Sequence, residues 1–226
     1  AASRLLFLIC NWGIYADDIT FGHTLSLFVA GLRFDTTAIL YSNIIFVVMF
    51  MLPLHIKETK AFYNVARWLY VVLNSICLCA NLCDCAYFPY TGKRTTFSVF
   101  SEFANEGGNM VNIIGEQVID NWYLLIVLGI FAIILWKAFS AGTTPNKLAP
   151  YYIGHTATLA LLIPLCIGGM RGGFTTAIRP ITISDANKYT NRPSESALVL
   201  NTPFSIFRTL SKKALKTPNY MSEEEA

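Results

Sequence analysis

Charged residues are scarce in this sequence. Only 14% of its 226 residues are Asp, Glu, Lys or Arg, whereas a soluble domain carries about a quarter. Hydrophobic residues make up 54% and are concentrated in long blocks, and the mean hydropathy is +0.47. The net charge of +3 is small and the basic residues form no stripe, which argues against nucleic acid as a partner. The composition therefore predicts a membrane protein.

Recognisable catalytic motifs are also lacking. The sequence has no Gly-x-Ser-x-Gly, no P-loop and no His-Glu-x-x-His, which are the patterns of common hydrolase and nucleotide-binding sites. Four of the six cysteines lie between Cys77 and Cys85, but on a helix only Cys79 and Cys83 share a face. These cysteines are interpreted as small hydrophobic residues. We expect no catalytic residue, no metal site and no cofactor within this chain.

The apolar blocks predict an all-α fold, a polytopic membrane helical bundle with about five spans. The first block is too short to cross a bilayer and is expected to be the end of a truncated helix. Residues 1–170 are assigned to the transmembrane domain and residues 171–226 to an extracytoplasmic linker. The predicted spans cover residues 1–15, 37–54, 63–83, 122–139 and 151–170.

Shorter amphipathic segments are predicted beside the spans. Apolar spacing over residues 19–32 favours a helix along the membrane surface that ends at Gly31-Leu-Arg-Phe-Asp35. Residues 97–104 and 110–119 are interpreted as two further surface helices. Thr202-Pro203 predicts a capped helix start, followed by one apolar and one basic face. Two interpretations of this last helix stay open: it rests on anionic headgroups or it packs against the spans.

The short loops predict the orientation of the chain. The 55–67 loop has three Lys or Arg residues, and the 137–149 loop has Lys137 and Lys147 without an acid. Both loops are therefore assigned to the cytoplasm. The 84–121 loop and the tail fall on the outer side, although the tail holds eight basic residues. We expect a multi-pass membrane protein with an extracytoplasmic tail.

Charged groups at the predicted outer side form the candidate site: Arg33 with Asp35, Asp84 with Lys93 and Arg94, and Arg171 with Arg179. Guanidinium groups offer paired donors that suit phosphate oxygens, so these groups predict binding of membrane lipids, and of anionic phospholipid headgroups in particular. The alternative is that they anchor helix ends and pair with one another. The candidate binding residues are Arg33, Tyr87, Lys93, Arg94 and Arg171, with Asp35 and Asp84 as local counter-ions.

Several segments resemble the membrane part of lipoteichoic acid synthase-like proteins. The resemblance is carried by Ser3-Arg-Leu-Leu-Phe-Leu-Ile, Gly31-Leu-Arg-Phe-Asp35 and Asp84-x-x-Tyr-Phe-x-x-Thr-Gly-Lys-Arg-Thr-Thr96. Arg171-Gly-Gly and Leu198-x-Leu-Asn-Thr-Pro-Phe204 fit the same pattern. These are sulfatase-family membrane proteins of the alkaline phosphatase superfamily, and the sequence is most similar in character to Bacteroidetes members.

The resemblance implies a multi-pass protein of the bacterial cytoplasmic membrane, with five membrane helices, linker helices and then an extracytoplasmic α/β catalytic domain. That domain would carry a Thr or Ser nucleophile on a divalent metal, manganese in lipoteichoic acid synthases, and would transfer or hydrolyse a phosphoryl or sulfuryl ester. In the family's synthases the donor is phosphatidylglycerol. The chain is expected to start inside the first helix and to stop before the catalytic domain, which would be its partner.

The leading functional hypothesis is a membrane anchor that presents a lipid substrate to a phosphoglycerol transferase or sulfatase-like hydrolase. A small transporter or channel is an alternative, although the spans hold few polar residues beyond Asn74, His155, Thr156 and Thr158. An assembly module for a cell-envelope complex is another.

Overall fold

The structure is a computed structural model that describes residues 2–16, 20–51, 59–99, 109–139, 149–174 and 179–210. Within these ranges the chain is helical and contains no strand, which confirms the all-α prediction. In chain order the α-helices are α1 Ala2–Cys10, α2 Trp12–Tyr15, α3 Phe21–Met51, α4 Lys60–Thr91, α5 Asn109–Asp120, α6 Trp122–Ala138, α7 Ala149–Arg171, α8 Ser196–Val199 and α9 Thr202–Thr209. Two 3₁₀ helices, Ile183–Tyr189 and Pro193–Glu195, precede α8.

Three helices among the described residues are long and apolar enough to cross a membrane, namely α3, α4 and α7. Helix α6 is also apolar but has 17 residues, and α1 has only nine. The three long helices indicate a membrane protein, whereas the predicted count of about five spans is not confirmed. Of the two surface helices predicted within residues 97–120, the second corresponds to α5, and most of the first lies outside the described residues.

Helix α3 corrects the prediction for residues 19–54. The sequence predicted a surface helix ending near Gly31 and a separate span from residue 37, but one helix runs from Phe21 to Met51. The break is absent because Asp35 has a partner in Arg4 of α1, whose Nη2 donates to Asp35 Oδ1 over 2.8 Å. A charge that is paired within the fold does not need to end a helix at the solvent.

The close packing of Arg4 against α3 explains why position 31 is a glycine, and a substitution there tests this packing. A Cβ on Gly31 would overlap the Arg4 guanidinium, whereas a Cβ on Gly22, in the same helix, would meet no atom within 4 Å. Gly-to-Ala changes inside helices normally stabilise by about 0.5–1 kcal/mol. We expect Gly22→Ala to raise the melting temperature in detergent and Gly31→Ala to lower it. Equal shifts for both variants would contradict the close packing of Arg4 on α3.

Helix α4 corrects the predicted exit from the membrane at Asp84. The helix continues through Asp84 to Thr91 and ends where Gly92 adopts φ +64°, with its N–H donating to the carbonyl of Phe88. Glycine suits this left-handed position because it has no Cβ. Residues 84–91, which the sequence assigned to the outer loop, therefore lie on a helix, and the loop begins only at Gly92.

The long helices pack side by side. Helix α3 contacts α4 and α7, and α4 also contacts α1 and α6. Asn43 and Asn74 exchange amide hydrogen bonds of 3.0 and 2.7 Å between α3 and α4, so these two polar side chains satisfy each other inside the bundle. At the end of α6, the Arg67 guanidinium lies 3.8 Å from the Trp136 ring centroid and donates to the Trp136 carbonyl.

The segment after α7 folds back onto the helices. Helices α8 and α9 contact α3, α8 also contacts α1, and α9 also contacts α4, and Leu198, Val199 and Phe204 are fully buried. We call residues 179–210 the docked segment. For the part of the predicted basic helix that the structure describes, Thr202–Thr209, packing against other helices is therefore the observed arrangement.

The cap of α9 differs from the predicted one. Asn201 is the N-cap, and its side-chain oxygen accepts from the N–H of Phe204 over 2.9 Å. Thr202 is instead the first helical residue, since its hydroxyl donates to Asp84 over 2.6 Å. The Thr202 hydroxyl, which the sequence assigned to the cap, is therefore bound to Asp84, a residue distant along the chain.

Candidate functional site

The first part of the candidate site lies where α3 and α7 meet. The hydroxyl of Thr37 on α3 donates to the carbonyl of Gly169 on α7 over 2.9 Å. One turn earlier on α3, Nε of Arg33 donates to the carbonyl of Gly172. Arg33 is therefore held beside the end of α7, where Arg171 is the last helical residue.

The turn after α7 shapes this region. Gly172 adopts φ +80°, and a Cβ there would lie 2.7 Å from Cγ2 of Ile181. The N–H of Ile181 donates to the carbonyl of Arg171 over 3.0 Å, which brings the docked segment back to the helix end. Only a residue without a side chain combines this backbone conformation with this close approach, so the Arg-Gly-Gly sequence has a structural role.

These contacts create a pocket of about 220 Å³. It has four cationic side chains and one carboxylate in its lining, and we call it the basic pocket. Its charged lining residues are Arg33, Arg171, Arg179, Lys188 and Asp185. The structure thus brings together Arg33 and Arg171, two of the five predicted binding residues, and adds Arg179, which the sequence had grouped with Arg171.

Asp185 is the acid of the basic pocket. Lys188 Nζ donates to Asp185 Oδ1 over 2.7 Å, and Arg179 Nη2 lies 3.5 Å from the same oxygen. The other oxygen accepts from the N–H and the hydroxyl of Thr182. The hydrogen bond from Lys188, with those from Thr182, holds the pKa of Asp185 well below its ordinary value. Asp185 is therefore ionised at neutral pH and balances about one of the four cations.

The second part of the candidate site lies around the end of α4. Tyr87, Lys93 and Arg94 line a separate pocket of about 260 Å³ that shares no lining residue with the basic pocket. Lys93 is exposed, whereas Arg94 is only 5% exposed. The five predicted residues therefore belong to two places, and Arg94 is placed inside the protein.

Arg94 and Asp84 belong to a buried polar cluster. Arg94 Nη1 lies 3.6 Å from Asp84 Oδ2, its Nε donates to the carbonyl of Ala197 over 2.8 Å, and its guanidinium stacks 3.6 Å from the Phe7 ring centroid. Asp84, 1% exposed, also accepts from Thr95 and from the Thr202 hydroxyl. This cluster joins α4, the turn after it and the docked segment.

Arg4, which is buried, and Asp35, which is half-buried, form a second polar cluster. The Arg4 guanidinium donates to both carboxylate oxygens of Asp35 over 2.8 and 3.0 Å, and to the carbonyls of Gly31 and Val199 over 3.0 Å each. Asn201 also donates to Asp35, over 2.7 Å. The sequence had grouped Asp35 with Arg33, and the structure gives it Arg4, a residue that site prediction missed. The available signal was an arginine within an apolar helix, which needs a buried partner.

Comparisons of the chain with family models, with curated proteins and with solved structures found no match. Among the described residues, no group of three or more His, Cys, Asp or Glu side chains could hold a metal ion. The candidate site is thus defined by the pockets alone. It consists of the basic pocket, and Lys93 and Tyr87, which line the other pocket, form a separate basic region.

Proposed function

We propose that the protein is a membrane anchor that holds an anionic lipid by its headgroup in the basic pocket and presents it to an enzyme domain. The observation that carries this proposal is the gathering of four cationic side chains with a single carboxylate in one pocket. Arginine is suited to this role because its planar donors match phosphate oxygens.

The position of the basic pocket along the helices supports a lipid ligand. From Arg33 to Met51 helix α3 rises about 27 Å, and from Tyr152 to Arg171 helix α7 rises about 29 Å, at 1.5 Å per residue. The hydrocarbon core of a bilayer is about 30 Å thick. Because α3 and α7 are in contact at Arg33, both arginines mark the same end of these apolar stretches. A bilayer that these stretches cross would have its lipid phosphates at this level.

The wider assignment rests on the sequence resemblance. We propose that the chain belongs to a sulfatase-like phosphoglycerol or phosphoryl transferase, or a hydrolase, of the bacterial cytoplasmic membrane. Its basic pocket and docked segment would face the outside, and its partner would be a following catalytic domain with a divalent metal. The coding sequence after Ala226 tests this assignment. A domain with a Thr or Ser nucleophile and metal ligands supports it, and an immediate stop codon contradicts it.

Loss of the helix-borne arginines tests the lipid site. We expect the double variant Arg33→Gln, Arg171→Gln to bind phosphatidylglycerol at least tenfold more weakly, since each lost charge-assisted hydrogen bond contributes about 1.5–3 kcal/mol. The measurement is isothermal titration calorimetry of the detergent-solubilised protein with dioctanoyl phosphatidylglycerol, with dioctanoyl phosphatidylcholine as the neutral reference.

Lys137→Gln is the matched control, because Lys137 is an exposed cation at the end of α6, far along the bundle from the pocket. A second control, Lys93→Gln, tests the other basic region. Melting temperatures measured on the same samples separate lost binding from lost folding. Unchanged phosphatidylglycerol affinity in a folded Arg33/Arg171 double variant would contradict the proposed function.

A further inference from the structure

Resting on the proposed function, we infer that the basic pocket prefers a phosphate headgroup with more than one negative charge, a phosphomonoester or a diphosphate, over a phosphodiester. The proposal concerns the class of lipid. Phosphatidylglycerol carries one negative charge on its phosphodiester, whereas a phosphomonoester carries about −1.5 to −2 at pH 7.

The charge of the pocket exceeds what one phosphodiester can balance. Four cations and one carboxylate line it, and Asp185 is shared by Lys188 and Arg179. Counting only Arg33, Arg179 and Lys188 against the single acid leaves an excess of two positive charges. A phosphodiester would balance only one of these charges, whereas a phosphomonoester would balance both.

The hydrogen-bond partners of Arg33 also support a ligand with more than one negative charge. Within the part of the chain that the structure describes, Arg33 donates to two neutral groups, the carbonyl of Gly172 and the hydroxyl of Tyr189. These bonds orient its guanidinium without neutralising it. No carboxylate among the described residues pairs with Arg33, so its positive charge is available to a ligand.

The cations also come from two sides. Arg33 and Arg171 belong to the helices α3 and α7, whereas Arg179 and Lys188 belong to the docked segment, with side chains that are 70% and 68% exposed. A headgroup with several anionic oxygens can contact both sides at once. A pocket of about 220 Å³ has room for such a group and for its bound water.

Dioctanoyl phosphatidic acid and dioctanoyl phosphatidylglycerol test the inference, because they share their acyl chains and differ in headgroup charge. We expect calorimetry at pH 7.5 in one detergent to give about tenfold tighter binding of phosphatidic acid, the effect of roughly one additional charged contact. At pH 5.5 the monoester loses most of its second charge, since its second pKa is about 6. The preference should then shrink, while Asp185 stays ionised because its pKa is lowered.

Variants in the docked segment provide the structural control. Arg179→Gln and Lys188→Gln should each weaken phosphatidic acid binding more than phosphatidylglycerol binding, and Lys137→Gln should change neither. Both substituted side chains are largely exposed, so folding should be retained, and the melting temperature verifies this.

The outcomes separate the two proposals. Equal affinity for the two anionic lipids, both above phosphatidylcholine, overturns the charge preference and leaves the lipid site in place. Affinity for neither overturns both. Inorganic pyrophosphate is the soluble probe: weak binding relative to phosphatidic acid supports a lipid source, and equal binding shows that the pocket takes a free anion instead.

Discussion

Replacing Asp84 with alanine should release the docked segment and destabilise the protein by about 3–5 kcal/mol, the usual cost of leaving one member of a buried ion pair without its partner. Asp84 accepts from the Thr202 hydroxyl over 2.6 Å and from Thr95, and its Oδ2 lies 3.6 Å from Arg94 Nη1. The substitution leaves the buried Arg94 charge without a counter-ion. Denaturant unfolding in detergent measures the loss of stability.

The location of the damage distinguishes this prediction from general instability. Hydrogen exchange should accelerate first in residues 197–205, since Thr202 loses its contact with α4 and Arg94 is free to leave the Ala197 carbonyl. Lys93→Ala is the matched control, because Lys93 is exposed in the same turn. Adding Arg94→Leu to Asp84→Ala should recover part of the stability by removing the uncompensated charge. An Asp84→Ala protein with the stability and exchange of the parent would show that the cluster does not hold the segment.

Arg4→Met should have a somewhat smaller effect, about 3 kcal/mol, which is the lower end for a broken buried ion pair, because the Asp35 side chain is 17% exposed. Arg4 is 3% exposed, and its guanidinium connects Asp35 and Gly31 of α3 to the Val199 carbonyl of the docked segment. Methionine fills much of the volume but donates no hydrogen bond, so Asp35 loses both hydrogen bonds from Arg4 and the carbonyls of Gly31 and Val199 lose this donor. The loss should appear as a lower unfolding midpoint in denaturant.

Arg4→Lys is the informative comparison. Lysine keeps the charge but offers a single ammonium instead of a planar fork, so it cannot reach both Asp35 oxygens and both carbonyls with the same geometry. We expect a stability between those of the parent and Arg4→Met. If Arg4→Lys were as unstable as Arg4→Met, directional hydrogen bonding would outweigh charge, and if Arg4→Met matched the parent, Arg4 would have no role in joining α1, α3 and the segment.

Both predictions concern ion pairs whose acids, Asp84 and Asp35, lie in motifs that the sequence interpreted as points where the chain leaves the membrane. The motifs Gly31–Asp35 and Asp84–Thr96 contain charges next to apolar blocks, a pattern typical of a chain leaving the membrane. In the structure Asp84 is buried and Asp35 is half-buried, and each is bound to a group distant along the chain, Thr202 with Asp84 and Arg4 with Asp35. A substitution in either motif therefore tests packing before it tests binding, and Arg94 is unsuitable for a binding test for this reason.

Part of the basic pocket could be predicted from the sequence. Arg33 and Arg171 lie beside predicted helix ends and Arg179 was grouped with Arg171, but nothing in their spacing indicated one pocket. Their meeting depends on the contact of α3 with α7 and on the return of the chain at Gly172 and Ile181. Lys188 was missed because its position follows from a 3₁₀ helix whose capping contacts, through Thr182 and Asp185, have no hydrophobic signature.

By itself, the sequence determined the all-α class, the membrane character and the approximate positions of α4, α6 and α7. A long apolar block in lipid must satisfy all its backbone hydrogen bonds internally, and a helix does so. Tertiary structure alone decided where α3 and α4 end, that residues 179–210 pack onto the bundle, and which cations share a pocket. The physical reason is that a charge adjoining an apolar block can be satisfied by water or by a distant partner, and only the folded chain brings that partner within hydrogen-bonding distance.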